Sequence, residues 1–142
     1  MGKTLLLISA RPEDQVFAAE VAITAGLSLQ CVGTPLEGAQ VIASESGAQV
    51  IIADTSTEQQ YQALESAIQE SVGIFSEKIN ANAFHFLSNE DLEKVQYLVQ
   101  SPLFGHFIIR NYGDVKGAGQ QYGRIVKATL AEKAFGLAAL MK

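Results

Sequence analysis

The sequence is poor in the residues that mark several protein classes. It has one cysteine, Cys31, no tryptophan and three prolines among 142 residues. A single thiol excludes a disulfide-framed miniprotein. Together with the lack of a secretory leader, it predicts a reducing, cytoplasmic setting. The uninterrupted apolar runs are no longer than a strand, so we expect no membrane-spanning segment.

Charged residues are also few, and they are unevenly distributed. They make up 18% of the chain, whereas 48% is hydrophobic, which excludes low-complexity disorder and predicts one domain with its own core. Residues 1–72 carry nine acidic and two basic side chains, whereas residues 110–142 carry two acidic and six basic ones. The net charge of −5 argues against a nucleic-acid-binding module, which would carry a dominant basic face. We interpret the basic C-terminal part as a solvated helix face.

Strand-like apolar runs alternate with helical patterns along the whole chain. The strand-like runs are residues 3–9, 29–33, 49–54, 84–87 and 105–110, and the helical patterns cover 12–25, 34–46, 55–75, 88–101 and 124–141. Strict alternation predicts a parallel sheet, because right-handed crossovers place the helices on its two faces. We therefore expect an α/β flavodoxin-like fold, a doubly wound five-stranded parallel sheet in three α/β/α layers. It forms a single domain with a core at 3–112, a glycine-rich loop at 113–123 and a C-terminal helix at 124–141.

Local signals give more specific expectations. Thr34 and Glu37 have capping-box spacing, and Thr55 and Glu58 repeat it, so each pair predicts the start of a helix. Cys31 is expected to be a buried small hydrophobe. The two histidines, His85 and His106, lie within strands and have no acidic partner at useful spacing, so both are interpreted as structural.

The residues after each strand carry the functional prediction, since ligands of open α/β sheets bind outside the carboxyl ends of the strands. Asp54 ends V-I-I-A-D, Ser88 ends F-H-F-L-S, and Arg110 ends H-F-I-I-R. This set resembles the receiver domain of two-component response regulators over residues 3–112. The resemblance implies that Asp54 is the phosphoacceptor, that Ser88 and Arg110 contact the phosphoryl group, and that Phe107 is the switch aromatic of the fifth strand.

The first strand departs from the receiver pattern. Receivers have an acidic pair there that holds Mg²⁺, but this sequence has Ser9 and Ala10, followed by the basic Arg11. Mg²⁺ prefers carboxylate oxygens in near-octahedral geometry, so one aspartate with neutral neighbours should hold it poorly. Glu13 and Asp14 are close in sequence, but we expect the helix to turn them away from the site.

Three further departures concern the third and fifth strands. Arg110 replaces the family's lysine, and arginine is not an equivalent phosphate contact. Asn111 replaces the usual proline, which disfavours the cis peptide of the family. Asp54 is followed by T-S-T-E rather than a Met-Pro-like segment. These changes predict a degenerate receiver, or pseudo-receiver, with no metal site and no cofactor, Mg²⁺ being required only if the domain is a working receiver.

Each site residue also has a structural interpretation. Asp54 and Ser88 are both residue types that cap helices. Arg110 could instead form an ion pair with Asp54 that fills the vacant metal site and mimics a fixed charge state. Phe107 could simply be a core residue on an apolar strand.

A phosphate-binding loop is the weaker alternative. Gly2-Lys3-Thr4 resembles the end of a Walker A loop, but the upstream glycines and the preceding strand are missing. Gly117, Gly119 and Gly123 nearly spell the dinucleotide fingerprint with one spacing wrong, and no acidic residue follows at the required distance. These glycines are interpreted as a flexible connection to the last helix.

Three functions therefore remain open. The first is a non-catalytic signalling module that binds a protein partner or forms a homodimer through the fourth helix, the fifth strand and the last helix. The second is a working receiver phosphorylated at Asp54. The third is a small nucleotide-binding flavodoxin-like protein that uses residues 117–123. No nucleophile–base pair or metal-ligand cluster is apparent in the sequence, so we do not expect an enzyme, and a membrane partner is not expected.

Overall fold

A five-stranded parallel sheet organises the chain in the computed structural model, which describes residues 4–44, 48–73, 79 and 83–140, without the side chains of 92 and 132–140. The strands are β1 (Thr4–Ile8), β2 (Ser28–Val32), β3 (Val50–Asp54), β4 (Phe84–Ser88) and β5 (His106–Ile109). The helices are α1 (Pro12–Ala25), α2 (Pro35–Ala43), α3 (Glu58–Ser71), α4 (Gln96–Val99) and α5 (Val115–Leu140), with a 3₁₀ turn at Leu92–Lys94. The strand order is β2-β1-β3-β4-β5 and every pair is parallel, which confirms the predicted flavodoxin-like class.

The helices cover both faces of the sheet. On one face, α2, α3 and α4 pack over one set of strand side chains, and on the other face α1 and α5 pack over the alternate set. Leu6 and Leu7 show the alternation, because adjacent residues of β1 lie in opposite cores and are both fully buried. Strands covered on both faces must be apolar throughout, which explains the continuous runs in the sequence. Among the described residues, none of the helices has the length and apolar character to cross a bilayer.

The edge strand β2 differs from its neighbours. All five of its residues are at least partly exposed, whereas β1 beside it is largely buried. Cys31 lies on β2 and is exposed, so the expectation of a buried cysteine is wrong. An edge strand has a neighbour on one side only, and the apolar residue types around Cys31 do not reveal that position.

The helix starts follow the sequence signals at two of three places. Helix α1 begins at Pro12 and ends before Gly26, whose φ of 74° is a left-handed conformation that favours glycine, as predicted. The Thr34 hydroxyl accepts a hydrogen bond from the Glu37 backbone N–H at 3.2 Å, which confirms the predicted Thr34 cap.

The second predicted capping box is wrong by two residues. Thr57 caps α3 and exchanges hydrogen bonds of 3.1 Å with Gln60 in both directions. Thr55 is fully buried, and its hydroxyl donates to the Leu87 carbonyl oxygen at 3.0 Å. The sequence contains two overlapping boxes, T-S-T-E and T-E-Q-Q. Thr55 is taken by a contact with the neighbouring strand that the sequence cannot reveal.

The fourth helix is much shorter than predicted. A continuous helix over 88–101 is replaced by the 3₁₀ turn at Leu92–Lys94 and the single-turn α4. Ser88 ends β4, and its hydroxyl accepts from the Glu90 N–H at 3.2 Å, which closes a local turn. The loop predicted before β4, at residues 77–81, lies largely outside the described residues.

The glycine-rich segment is helical, so the predicted loop at 113–123 and the helix start near residue 124 are both wrong. Helix α5 begins at Val115 and contains Gly117, Gly119 and Gly123. A Cβ atom at Gly119 would lie 2.6 Å from the Glu20 Cβ and 2.7 Å from the Phe17 carbonyl oxygen. Because no side chain fits there, Gly119, together with Gly123 facing Thr24 and Val21, lets the backbones of α1 and α5 approach closely.

This packing predicts opposite effects for two neighbouring alanine substitutions. We expect Gly119→Ala to destabilise the domain by about 1–2 kcal/mol, since overpacking against α1 outweighs the gain in helix propensity. Gly117→Ala is the matched control, because its Cβ would meet only the Asp114 side chain, and we expect it to be neutral or stabilising by up to about 1 kcal/mol. Urea unfolding measures both values. Equal effects would contradict the close approach of α1 and α5.

Candidate functional site

The carboxyl ends of the central strands bring together polar residues that are far apart in sequence. Asp54 ends β3, Arg110 directly follows β5, and Ser9 directly follows β1. The Arg110 backbone N–H donates to the Ser88 carbonyl oxygen at 2.6 Å, which fixes the start of the Arg110 side chain beside β4. The edge of the sheet that the sequence indicated is therefore the place where these side chains meet.

Arg110 and Asp54 form a direct ion pair. An Arg110 Nη2 atom lies 2.8 Å from Asp54 Oδ1, and the two side chains are 2% and 8% exposed. The predicted Arg110–Asp54 pair is confirmed. Surface ion pairs contribute little to stability because water screens them. The low exposure of this pair reduces that screening.

Asp14 is the second partner of Arg110, and the expectation that α1 turns it away is wrong. Asp14 is fully buried and receives a bidentate pair of hydrogen bonds, from Arg110 Nε to Oδ1 and from Nη2 to Oδ2, both at 2.8 Å. Asp14 is the third residue of α1, so its carboxylate lies at the positive end of the helix dipole. The neighbouring Glu13 is exposed and pairs with Arg11 at 3.6 Å.

Acceptors surround the Arg110 guanidinium. Besides the two bonds to Asp14, Nη1 donates to Ser56 Oγ at 2.6 Å and to Asn89 Oδ1 at 2.7 Å. A guanidinium has five N–H donors. Four hydrogen bonds are formed here, and Nη2 also lies 2.8 Å from Asp54 Oδ1. We call Asp14, Asp54, Ser56, Asn89 and Arg110 the Arg110 cluster. Within it, the guanidinium faces two carboxylates and two neutral acceptors.

Asp14 accepts four hydrogen bonds, two of them from Arg110. Its Oδ2 also accepts from the Ser9 hydroxyl and its Oδ1 from the Tyr112 hydroxyl, each at 2.7 Å. Burial alone would raise the pKa of Asp14, but the hydrogen bonds from Arg110, Ser9 and Tyr112 and the charge of Arg110 outweigh it. They hold the pKa below its usual value. Asp14 is therefore ionised at neutral pH.

The same contacts shift the pKa of Asp14's partners. Burial opposes the charged form of Arg110, but its bonds to Asp14 and Asp54 raise its pKa well above the usual range. Burial and the bond to Asp14 raise the pKa of Tyr112, so it remains a neutral hydroxyl donor.

Asp54 organises the turn before α3 but does not cap the helix. Its Oδ1 accepts from the Ser56 backbone N–H at 3.2 Å and from the Ser56 hydroxyl at 2.6 Å. The cap itself is Thr57, so the interpretation of Asp54 as a helix cap is wrong. Oδ2 lies 3.5 Å from Gln60 Nε2 and 3.6 Å from Arg11 Nε.

The formal charges of the Arg110 cluster and Arg11 sum to zero. Asp14 and Asp54 each contribute one negative charge, and Arg110 and the half-exposed Arg11 each contribute one positive charge. Buried carboxylates are tolerated when they are paired and hydrogen-bonded. Two arginines thus neutralise the carboxylates at the end of this sheet.

The residues present do not fit a Mg²⁺ ion in this arrangement. Arg110 Nη2 lies 2.8 Å from a carboxylate oxygen of both Asp14 and Asp54, so a cationic side chain occupies the space between the two acids. Ser9 donates its hydroxyl to Asp14, and Ala10 has no ligand atom in its side chain. The described residues contain no group of three or more acidic, histidine or cysteine side chains placed to hold a metal ion.

The remaining predicted residues lie apart from the Arg110 side chain. Ser88 is fully buried and closes the turn to Glu90. Phe107 is half-buried and packs with the core on the α2–α4 face. Tyr112, which the sequence did not single out, is the aromatic that touches the cluster. Its ring stacks on Phe17 with centroids 4.6 Å apart.

A second polar contact joins α5 to the sheet. His85 Nδ1 and the Tyr122 hydroxyl are 2.5 Å apart, and the His85 ring stacks on His106 with centroids 4.2 Å apart. Burial, with a smaller contribution from His106, lowers the pKa of His85 to about 3, so His85 is neutral at physiological pH. The placement agrees with a structural role for His85.

The sequence signal for the missed residues was weak but present. Asp14 stands at the third position of a helix that begins with Pro12, where an acid is ordinarily explained by the helix dipole. Ser56, Asn89 and Tyr112 each lie within three residues of the end of a strand. All four lie near the carboxyl ends of the strands, where the fold predicts the site. Nothing in their spacing shows that they meet around Arg110 and Asp14.

Comparisons with known proteins support the fold. No family model and no curated protein matches the sequence. Among solved structures, the chain is similar to a response regulator in red light signaling of R. palustris, with a TM-score of 0.60 and 14% identity over 84% of this chain and 90% of that one. At that identity the likeness shows a receiver-like fold. An adenylate cyclase from Rhodopirellula baltica has a TM-score of 0.48 and 15% identity over 94% of this chain and 98% of that one, too low a score to carry an argument.

The saturated pairing predicts unequal costs for removing the two carboxylates. We expect Asp14→Asn to destabilise the domain by about 3–5 kcal/mol, because it leaves a buried arginine without its bidentate partner. Asp54→Asn is the matched control. Arg110 keeps Asp14 there, and we expect a loss of about 1–2 kcal/mol. Chemical denaturation of the two variants measures both, and a cost for D54N equal to that for D14N would contradict the assignment of Asp14 as the main partner.

The lowered pKa of Asp14 also predicts a pH dependence. A carboxyl whose pKa is depressed in the folded state contributes stability above its unfolded pKa, and this contribution is lost as pH falls through the folded value. The difference in unfolding free energy between the parent protein and D14N should therefore be constant near neutrality and narrow below about pH 4. Denaturation at several pH values tests it, and a constant difference down to pH 2 would show that Asp14 carries no pKa shift.

Proposed function

We propose that this receiver-like domain is a pseudo-receiver, a signalling module that acts by protein–protein interaction without Mg²⁺-dependent phosphorylation. The similarity to a response regulator supports the receiver-like part of this proposal. The observation that carries the rest is Arg110, whose guanidinium lies 2.8 Å from both Asp14 and Asp54.

The argument concerns charge and space. Phosphorylation of an aspartate in a receiver requires a divalent cation beside it and a free cationic side chain for the phosphoryl oxygens. Here a side chain of this protein neutralises the carboxylates, and four of its five donors already form hydrogen bonds. A phosphoryl group on Asp54 that drew Arg110 away from Asp14 would leave that buried carboxylate unpaired. That state is unfavourable, because breaking a buried ion pair costs about 3–5 kcal/mol.

The partner surface lies at the β5 edge of the sheet. β5 is an edge strand, with α4 on one face of the sheet and α5 on the other. Among the described side chains, each of these elements exposes a large apolar one: Val99 is 48% exposed, Ile109 43% and Ile125 57%. We assign the partner surface to this edge because all three of its elements expose an apolar side chain.

The two alternatives are weaker. A working receiver would use Asp54 through Oδ2, whose partners are 3.5 Å and 3.6 Å away, and the lack of a fitting magnesium site disfavours it. The nucleotide-binding alternative depended on a loop at residues 117–123, and these residues belong to α5. The proposed module is not an enzyme and needs no cofactor.

The decisive test exposes the protein to Mg²⁺ and beryllofluoride, a phosphoryl mimic. We expect the backbone NMR signals of Asp54, Asn89 and Phe107 to stay unchanged, because Arg110 already occupies the site. Asp54→Asn serves as the control, since a shift that it retains does not arise at Asp54. Saturable, D54-dependent shifts at millimolar Mg²⁺ would contradict the pseudo-receiver proposal and support a working receiver.

The partner surface predicts that a charged residue there lowers self-association. If the domain forms a homodimer through α4, β5 and α5, then Ile109→Glu should weaken dimerisation at least about tenfold, because it buries an unpaired charge in the interface. Ile23→Glu on the exposed side of α1 is the control, and it should leave association unchanged. Sedimentation velocity over a concentration series measures both. Equal weakening by the two variants would argue against this surface.

A further inference from the structure

A groove between α3 and α4 lies outside the Arg110 cluster and outside the proposed β5-edge surface. We call it the α3–α4 groove. It has a volume of about 250 Å³ and is lined by Glu58, Tyr61, Gln62, Glu65, Ser66 and Tyr97. Its size is below the roughly 300–1,000 Å³ of small-molecule pockets, so it suits a single side chain better than a whole ligand.

The spacing of Glu58 and Glu65 places both acids on one face of α3. Glu58, Tyr61, Gln62 and Glu65 are separated by three, four and seven positions, so they share one face of α3. Glu58 and Glu65 are two turns apart, about 10 Å along the axis, with Tyr61 between them. Neither glutamate forms an ion pair with another residue in the part of the chain that the structure describes.

Aromatic rings form the floor and wall of the groove. Tyr61 and Tyr97 have ring centroids 6.0 Å apart, and Tyr61 also packs edge-on against Phe86 in the core. The Tyr97 hydroxyl donates to the Thr55 carbonyl oxygen at 3.1 Å, and the Tyr61 hydroxyl bonds to Ser101. Both rings are held at their polar ends, so they present fixed surfaces to the groove.

The potential in the groove is negative. Burial raises the pKa of Tyr97, and the charges of Glu58, Glu90 and Asp54 raise it further. Negative charge beside an aromatic face is the environment that attracts a cation, and a guanidinium fits best because it stacks on a ring and pairs with a carboxylate in one plane. Charge, ring surface and volume therefore agree on one kind of occupant.

We propose that the α3–α4 groove binds an arginine side chain from a basic segment of a partner protein. The guanidinium lies against Tyr97 and pairs with Glu58 or Glu65, and a second basic residue of the segment reaches the other glutamate. This site shares α4 with the β5-edge surface, but it uses Tyr97 rather than Val99, and its acidic side chains belong to α3.

The test is an NMR titration with three tetrapeptides, of arginine, lysine and citrulline. We expect saturable shifts at the groove residues, in the order arginine, lysine, citrulline, because citrulline keeps the shape of arginine without its charge. Tyr97→Phe should still bind the arginine peptide, since the ring remains. Tyr97→Leu should weaken binding.

A pair of double variants separates the groove from general charge attraction. Glu58→Gln with Glu65→Gln should weaken the arginine peptide about tenfold, as expected for two partly screened charge pairs. Glu37→Gln with Glu70→Gln removes two exposed charges outside the groove and should change affinity by less than about twofold.

Four outcomes would overturn the proposal. Equal binding of citrulline would remove the role of charge, and equal loss in the two double variants would indicate non-specific attraction. N-acetyl-arginine amide binding as tightly as the peptide would mean a small-cation site. Groove shifts that depend on protein concentration alone would mean that a second copy of the chain occupies it.

Discussion

The bidentate pair between Arg110 and Asp14 is the interaction on which the end of this sheet depends. It joins the first turn of α1 to the residue after β5, which are 96 positions apart in sequence. Through its other donors, Arg110 also holds Asp54, Ser56 and Asn89, so the turns after β3 and β4 are fixed by the same side chain. One cation thus sets the relative positions of the turns that follow four of the five strands, with Ser9 after β1 reached through Asp14.

This constraint has a functional consequence. An ion such as Mg²⁺ can leave and be replaced, whereas a covalently attached guanidinium on a buried side chain is always present. The carboxylates of this site are therefore neutralised in every molecule, regardless of metal concentration. Under the pseudo-receiver proposal, a module with a constant charge state at its strand ends is regulated by abundance or by binding rather than by a phosphoryl group.

The sequence predicted the architecture because the sheet is covered on both faces. Apolar runs such as Thr4–Ile8 and Val50–Asp54 are typical of strands that are buried on both faces, and their alternation with helices predicts a parallel order. The Arg110–Asp54 pair was also predictable, since both residues end strands of one parallel sheet. The role of Asp14 was not predictable, because an acid in the first turn of a helix is ordinarily explained by the helix dipole.

The glycines of α5 were interpreted wrongly for a related reason. Several glycines close together usually indicate a loop, and only the packing of α5 against α1 reveals that a neighbouring helix lies too close for a side chain.

The most direct test of the central claim is the behaviour of the Arg110 side chain itself. If Arg110 replaces the metal, its guanidinium N–H protons should give separate, slowly exchanging NMR signals at neutral pH, because the side chain is 2% exposed and forms four hydrogen bonds. These signals should not change when millimolar Mg²⁺ is added. Averaged, rapidly exchanging Arg110 signals, or signals that move with Mg²⁺, would contradict the account.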